Sequence, residues 1–196
     1  MDWRIYHAIY GVSLHHHWVG SLFSGIETAS IPVMVVATVA LWLLSRPGGD
    51  RKWKLASTFA LASAALALGV NRAIASLVWH RDRPYLTHPI SHPWSNTRDA
   101  SFPSDHASAS FAIAFAVLMV DTVAGALFLA AALVIAAGRL FIGAHYPSDV
   151  GAGFLVGLAS AIVVVKALRP LLSRLVHLVE RVTDPILAPL WRLTAK

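Results

Sequence analysis

Ser101-Phe102-Pro103-Ser104-Asp105-His106 runs straight into Ala107-Ser108-Ala109-Ser110-Phe111-Ala112-Ile113-Ala114-Phe115-Ala116. A proline with fixed φ and no N–H, two small polar residues and then an apolar run are the pattern of a helix start. Pro103 is expected in the first turn. Such a start offers unpaired N–H groups and the positive end of the helix dipole, both of which favour a bound phosphate. His106 would stand beside that anion as proton donor or acceptor. An ordinary capped membrane helix, with its histidine at the lipid headgroups, fits the stretch equally well. The rest of the chain has to decide.

At 196 residues the chain has the size of one domain. It is 57% hydrophobic and only 13% charged, with mean hydropathy +0.63, against about 25% charged in soluble domains. Lipid is the solvent that such a composition needs. The chain has no cysteine, which excludes disulfides and thiolate metal sites. Its net charge of +6 sits at the ends of apolar runs rather than along one stripe, so no nucleic-acid partner is expected. The first 28 residues lack a compact apolar core with a cleavage site, so no removable signal peptide is expected.

The predicted architecture is all-α: a polytopic membrane bundle of five to six spans with interfacial terminal helices. Residues 1–28 mix Trp3, Ile5, Tyr6, Ile9 and Tyr10 with histidines and read as a helix lying in or dipping into the interface. His15-His16-His17 invites a metal, but neighbours on a helix point about 100° apart and make a poor ligand set. Glu27 is expected to cap the first span or to face the bundle interior. The spans are predicted at 29–45, 55–79, 104–120, 123–141 and 148–167. Gly153 and Gly157 in the last have the spacing that lets helices pack closely. The 168–196 tail places leucines on one helical face with arginines between them, as an interfacial helix does.

Basic residues fix the expected orientation. Arg46, Arg51, Lys52 and Lys54 fill one turn, and Lys166, Arg169, Arg174, Arg181, Arg192 and Lys196 mark the tail. Both regions then lie on the cytoplasmic side, and the 80–106 and 141–148 segments face outward together.

Those two outer segments and the residues bordering them hold Arg81, Arg83, Ser104, Asp105, His106, Arg139, His145 and Asp149. Pro147 is expected at the first position of the fifth span, which puts Asp149 in its first turn, able to reach back to His145. A carboxylate on one imidazole nitrogen fixes the tautomer and frees the other nitrogen as nucleophile or base. Arg83 and Arg139 are permanently charged forks matched to phosphate oxygens. Taken singly these residues are anchors and caps; together, at the edge of a bilayer, they describe a phosphate-processing site. Asn71 and Arg72 are read as structural, with Arg72 snorkelling or pairing with Glu27.

Arg83-Pro84, Pro103-Ser104-Asp105-His106 and Arg139-x5-His145-x3-Asp149 resemble the three signature motifs of the type-2 phosphatidic acid phosphatase superfamily. The wording Arg-Asp-Arg-Pro, Ala-Ser-Phe-Pro-Ser-Asp-His and His-Tyr-Pro-Ser-Asp is most similar to the bacitracin-resistance branch, the membrane undecaprenyl-diphosphatases. Ile-Tyr-His-Ala-Ile-Tyr-Gly near the N-terminus and Glu27 extend that likeness over most of the chain.

The resemblance implies a multi-pass enzyme of the bacterial cell membrane, with its site on the extracytoplasmic side, acting on undecaprenyl diphosphate without metal or cofactor. Its product would be a recycled carrier lipid for wall synthesis, and its substrate is the lipid that bacitracin sequesters. By the same likeness His145 is the nucleophile, Asp149 orients it and His106 protonates the leaving oxygen. Arg83, Arg139 and Ser104, with the local backbone, hold the phosphate. Two departures stand out. The lysine usual seven residues before the first-motif arginine is Ser76 here, and Arg81 is the expected substitute for its charge. Asp105 replaces a common glycine, and its backbone is expected to bind phosphate while its side chain turns toward an arginine. A phosphatidate or phosphatidylglycerophosphate phosphatase shares these motifs, and a non-catalytic lipid transporter or bacitracin-binding protein is the reading from another class.

Overall fold

The computed structural model describes residues 1–194, and among them every regular element is helical. Helix α1 (Asp2–His15) is followed by α2 (His17–Leu44), α3 (Lys52–Leu77) and a single turn, α4 (Pro84–Thr87). Then come α5 (Asp105–Leu118), α6 (Thr122–Phe141), α7 (Pro147–Ile162), a π-helical turn over 163–167, and α8 (Arg169–Thr194). Helices α2, α3, α6 and α7 with its π-turn are long and apolar enough to cross a bilayer.

Helix α5 is the hub. Its 14 residues measure about 21 Å, short for a lipid-exposed span. Ten of them are buried, because α3, α6 and α7 enclose it. A helix sheathed in protein need not match the hydrocarbon thickness itself. Its small residues let neighbours approach: a Cβ added at Gly157 would lie 2.8 Å from the Ala112 amide nitrogen, and one at Gly153 would lie 2.9 Å from the Ser104 carbonyl. The glycine pair predicted to allow close packing is where α7 meets α5 backbone to backbone. Leu127, Leu133, Val36 and Leu155 point outward as a lipid-facing surface.

Four predicted spans agree with the observed helices to within a few residues. The first does not: α2 begins at His17, not at 29. Ser21, Ser24, Glu27 and Thr28 dilute its hydropathy, and Ser24, Glu27 and Thr28 line a cleft against the 94–97 loop. Pro103 differs too. Helix α5 starts at Asp105 with Ser104 as N-cap, so the proline precedes the helix instead of opening it. Ser104 instead gives its N–H to the Asp149 carbonyl at 3.1 Å, which ties the entry of α5 to α7. Pro147 does open α7, as expected.

The two basic regions meet at one end of the bundle. Lys54, 1% exposed, bonds Asp184 at 2.6 Å and Glu180 at 3.2 Å, and Arg51 reaches Glu180 at 2.8 Å. These pairs dock α8 on α3, leaving Leu171, Leu175, Leu178 and Val182 exposed on its far face. The Arg192 side chain and Lys196, counted with the basic tail, fall outside the described residues. At the other end, α1 buries Tyr6 and Tyr10 against Tyr146 and covers the loops that carry the motifs.

Candidate active site

Helix α6 ends in a Schellman motif. The Gly143 N–H bonds the Leu140 carbonyl and the Ala144 N–H bonds the Arg139 carbonyl, each at 3.1 Å. Gly143 has φ +72°, and a Cβ there would also meet the Tyr10 ring at 2.7 Å. The reversal brings Arg139, in the last turn of α6, onto the imidazole of His145. Tyr146 then caps α7 in a capping box: its N–H donates to Asp149 Oδ2 at 2.9 Å.

His145 is 1% exposed, and both ring nitrogens are engaged. Nδ1 donates to the Ser101 carbonyl at 2.7 Å, which leaves Nε2 as the unprotonated nitrogen. Facing that nitrogen are Arg83 Nη1 at 3.2 Å and Arg139 Nη2 at 3.1 Å. Burial, then the Arg139 and Arg83 charges, hold the imidazole well below its ordinary pKa, so it is neutral.

The expected direct bond from Asp149 to His145 is replaced by a relay, since the carboxylate oxygen lies 3.8 Å from Nδ1. Fully buried, Asp149 accepts from Ser101 Oγ at 2.6 Å, from the Tyr146 N–H and from Arg81 Nη1 at 2.7 Å. It fixes Ser101, whose carbonyl in turn fixes the ring. Ser101 opens the motif at the start of α5, and the role of its backbone carbonyl leaves no mark in sequence.

Arg81 is therefore not placed as a substitute phosphate ligand. Its guanidinium is taken by Asp149, by Ser148 Oγ at 2.7 Å and by Asp2 at 2.8 Å, behind the imidazole. Nor does the Asp105 side chain turn to an arginine: its Oδ1 accepts from Asn71 Nδ2 at 2.7 Å. Asn71 also exchanges hydrogen bonds with Ser108, so this buried amide holds the first turn of α5 to α3. Arg72 does not pair with Glu27; it lines a small cleft with Asp99, Phe102 and Asp105. Ser76 only bonds back to its own helix.

Glu27 instead pairs with Arg139 Nη1, joining α2 to α6. Arg83 donates to the Ala144 carbonyl at 3.0 Å and is paired with Asp99 at 3.0 Å. His106, half-buried in the first turn of α5, lines a cleft of about 310 Å³ with Glu27, Thr28, Trp94 and Thr97. Since Ser104, the N-cap of α5, gives its N–H to the Asp149 carbonyl in the first turn of α7, His106 and His145 lie at the same end of the bundle. Two buried polar atoms at this place have no partner: Ser104 Oγ and Arg139 Nε. Orphaned polar groups of this kind suit a ligand. Among the described residues no group of three or more histidine or acidic side chains is arranged to hold a metal ion.

The PAP2 superfamily pattern matches residues 51–172, a stretch that takes in all three motifs. Over 189 residues the chain is 28% identical to undecaprenyl-diphosphatase BcrC of Bacillus subtilis (strain 168), covering 95% of each protein. Over 146 residues it is 32% identical to the putative undecaprenyl-diphosphatase YbjG of Escherichia coli (strain K12), covering 72% of this chain and 69% of the relative. A bacitracin transport permease protein BcrC of Bacillus licheniformis is 42% identical over 66 residues, about a third of each chain. The crystal structure of LpxE from Aquifex aeolicus superposes with TM-score 0.61 at 19% identity, over 83% of this chain and 93% of that one, which is a likeness of fold. Motifs, helical bundle and matched length agree: the chain belongs to the PAP2 superfamily, as a membrane lipid phosphatase.

Proposed function

We propose that the protein removes the terminal phosphate of undecaprenyl diphosphate at the extracytoplasmic face of a bacterial cell membrane, through a phosphohistidine on His145 and without a metal ion. The observation that carries this reading is the unprotonated Nε2 of a neutral, buried imidazole held by two arginines, at the end of the bundle that also has two orphaned polar atoms. The names of the two undecaprenyl-diphosphatase relatives support the choice of substrate.

In the proposed reaction Nε2 attacks the terminal phosphorus, and the bond from that phosphorus to the bridging oxygen breaks. His106 gives its proton to the departing lipid phosphate. Arg83 and Arg139 follow the charge on the equatorial oxygens, with Ser104 and the amides opening α5 as further donors. His106 then takes a proton from water, which attacks phosphorus and releases inorganic phosphate and free His145. Asp149, through Ser101, keeps the tautomer that this requires.

The test is a substrate panel with trapping of labelled enzyme. The long-chain prenyl diphosphate should turn over faster than phosphatidate or phosphatidylglycerophosphate, and label should appear on the wild type but not on His145→Ala. Near-normal phosphate release by that variant would overturn the mechanism; faster turnover of glycerolipid phosphates would reassign the substrate. The name of the permease relative favours, as a second reading, a non-catalytic transport role. That role predicts neither phosphate release nor label.

A further inference from the structure

Both phosphate-facing arginines already hold a carboxylate. Arg139 Nη1 is paired with Glu27, while Nη2 of the same guanidinium lies 3.1 Å from His145 Nε2. Arg83 Nε and Nη2 are paired with Asp99 at 3.2 and 3.0 Å, while its Nη1 lies 3.2 Å from the same Nε2. An anion arriving at Nε2 therefore meets two guanidinium groups whose charge is already balanced. It must share them with fixed carboxylates, which repel it, or push the carboxylates aside.

The two carboxylates are built to yield. The Glu27 side chain is 23% exposed and lines the cleft that holds His106, so it has water to move into. Pro32, inside α2, has no N–H for the Thr28 carbonyl, which leaves the turn carrying Glu27 with one helical bond fewer. Asp99 is 56% exposed, in a segment without regular structure between α4 and α5.

We infer that Glu27 and Asp99 are specificity-determining counter-anions, which keep single phosphate groups off the arginines and yield only to the more highly charged diphosphate head of a membrane-anchored lipid. This rests on the phosphatase reading above. Two properties of that substrate overcome the barrier. Its diphosphate carries more charge than one phosphate group. Its tail holds it in the bilayer, so the head meets the site at an effective concentration that free phosphate in water does not reach. Inorganic phosphate, the product, lacks both advantages and leaves as the carboxylates return.

The experiment compares the full-length wild type with Glu27→Gln and Asp99→Asn, each reconstituted in lipid. Inorganic phosphate binding is read by thermal stabilisation and as an inhibition constant. The ratio of kcat/KM for a long-chain prenyl diphosphate to that for the monophosphate of the same chain is the second readout. Phosphate should bind about tenfold tighter in either variant, and the ratio should fall by about the same factor. Unchanged phosphate affinity in every variant that folds overturns the inference, because side chains that only brace the helices would not alter it. Tighter phosphate binding by variants of an inactive wild type would support the counter-anions while removing the phosphatase reading. An active wild type with unchanged phosphate affinity in the variants would do the reverse.

Discussion

Ser101 holds His145 through its backbone and Asp149 through its side chain: Nδ1 donates to the Ser101 carbonyl at 2.7 Å, and Ser101 Oγ donates to Asp149 Oδ2 at 2.6 Å. One residue thus converts the position of a buried carboxylate into the orientation of an imidazole. Ser101→Ala keeps the carbonyl and loses the hydroxyl. It should lower kcat by about tenfold, the size of one lost buried hydrogen bond, with little change in KM. Asp149→Asn cannot accept from all three of its donors and should cost about a hundredfold or more. Steady-state kinetics on both variants check the ranking; equal losses would mean that Asp149 acts on the ring without Ser101.

Arg139 makes its contact with Nε2 and its pair with Glu27 through different arms of one planar fork. A lysine places a single point charge there and cannot keep both. Arg139→Lys should lose about a hundredfold in kcat/KM, the usual cost of one preorganised donor at a reacting oxyanion. The measurement is turnover on the prenyl diphosphate at matched thermal stability. A loss below threefold would show that the charge alone suffices.

The neutral state of His145 has a sign that pH can read. Burial and the two arginines depress its pKa, so the imidazole stays unprotonated at neutral pH and the acid limb of activity should lie below about 6.5. Arg139→Gln removes one depressing charge and should move that limb upward. The same depression affects stability. Below about pH 6.5 the unfolded chain binds the proton more readily than the fold does, so stability falls as pH drops from there toward the folded-state pKa. A wild-type limb at or above the ordinary histidine value would contradict a neutral nucleophile.

At the far end of the bundle, Lys54 is buried between Asp184 and Glu180. Lys54→Met keeps the bulk and removes the charge, leaving Asp184 without this partner. The variant should lose about 3 kcal/mol of stability while kcat and KM stay near wild type. Thermal unfolding in detergent, run beside the activity assay, checks the separation. Loss of activity in a folded variant would mean that the docking of α8 is felt at the other end.

How much of this was legible in the sequence depended on how local the signal was. The segment from Arg139 to Asp149 carries its own geometry: a helix end, a glycine turn, a proline-led helix start and a carboxylate in the first turn. Spacing alone therefore brought Arg139, His145 and Asp149 together. Contacts across the fold had no such signature. Asp2 and Arg81 are 79 residues apart, and nothing in either marks the partner that takes Arg81 from the phosphate side. Glu27 reads as a charge near an apolar run, but whether it caps that run or faces inward depends on where α2 begins. That point was hidden because polar residues facing protein read like polar residues facing water.

Gly153 and Gly157 set the gap between α5 and α7 with hydrogen atoms alone. Since His106 rides on the first turn of α5 and His145 directly precedes α7, this gap works as a calliper on the two imidazoles. A single methyl group at either glycine would open the jaws of that calliper. Substitutions on this packing face, at Gly153 one turn beyond Asp149 or at Gly157 two turns beyond it, would then retune which anion the mouth of the bundle can grip.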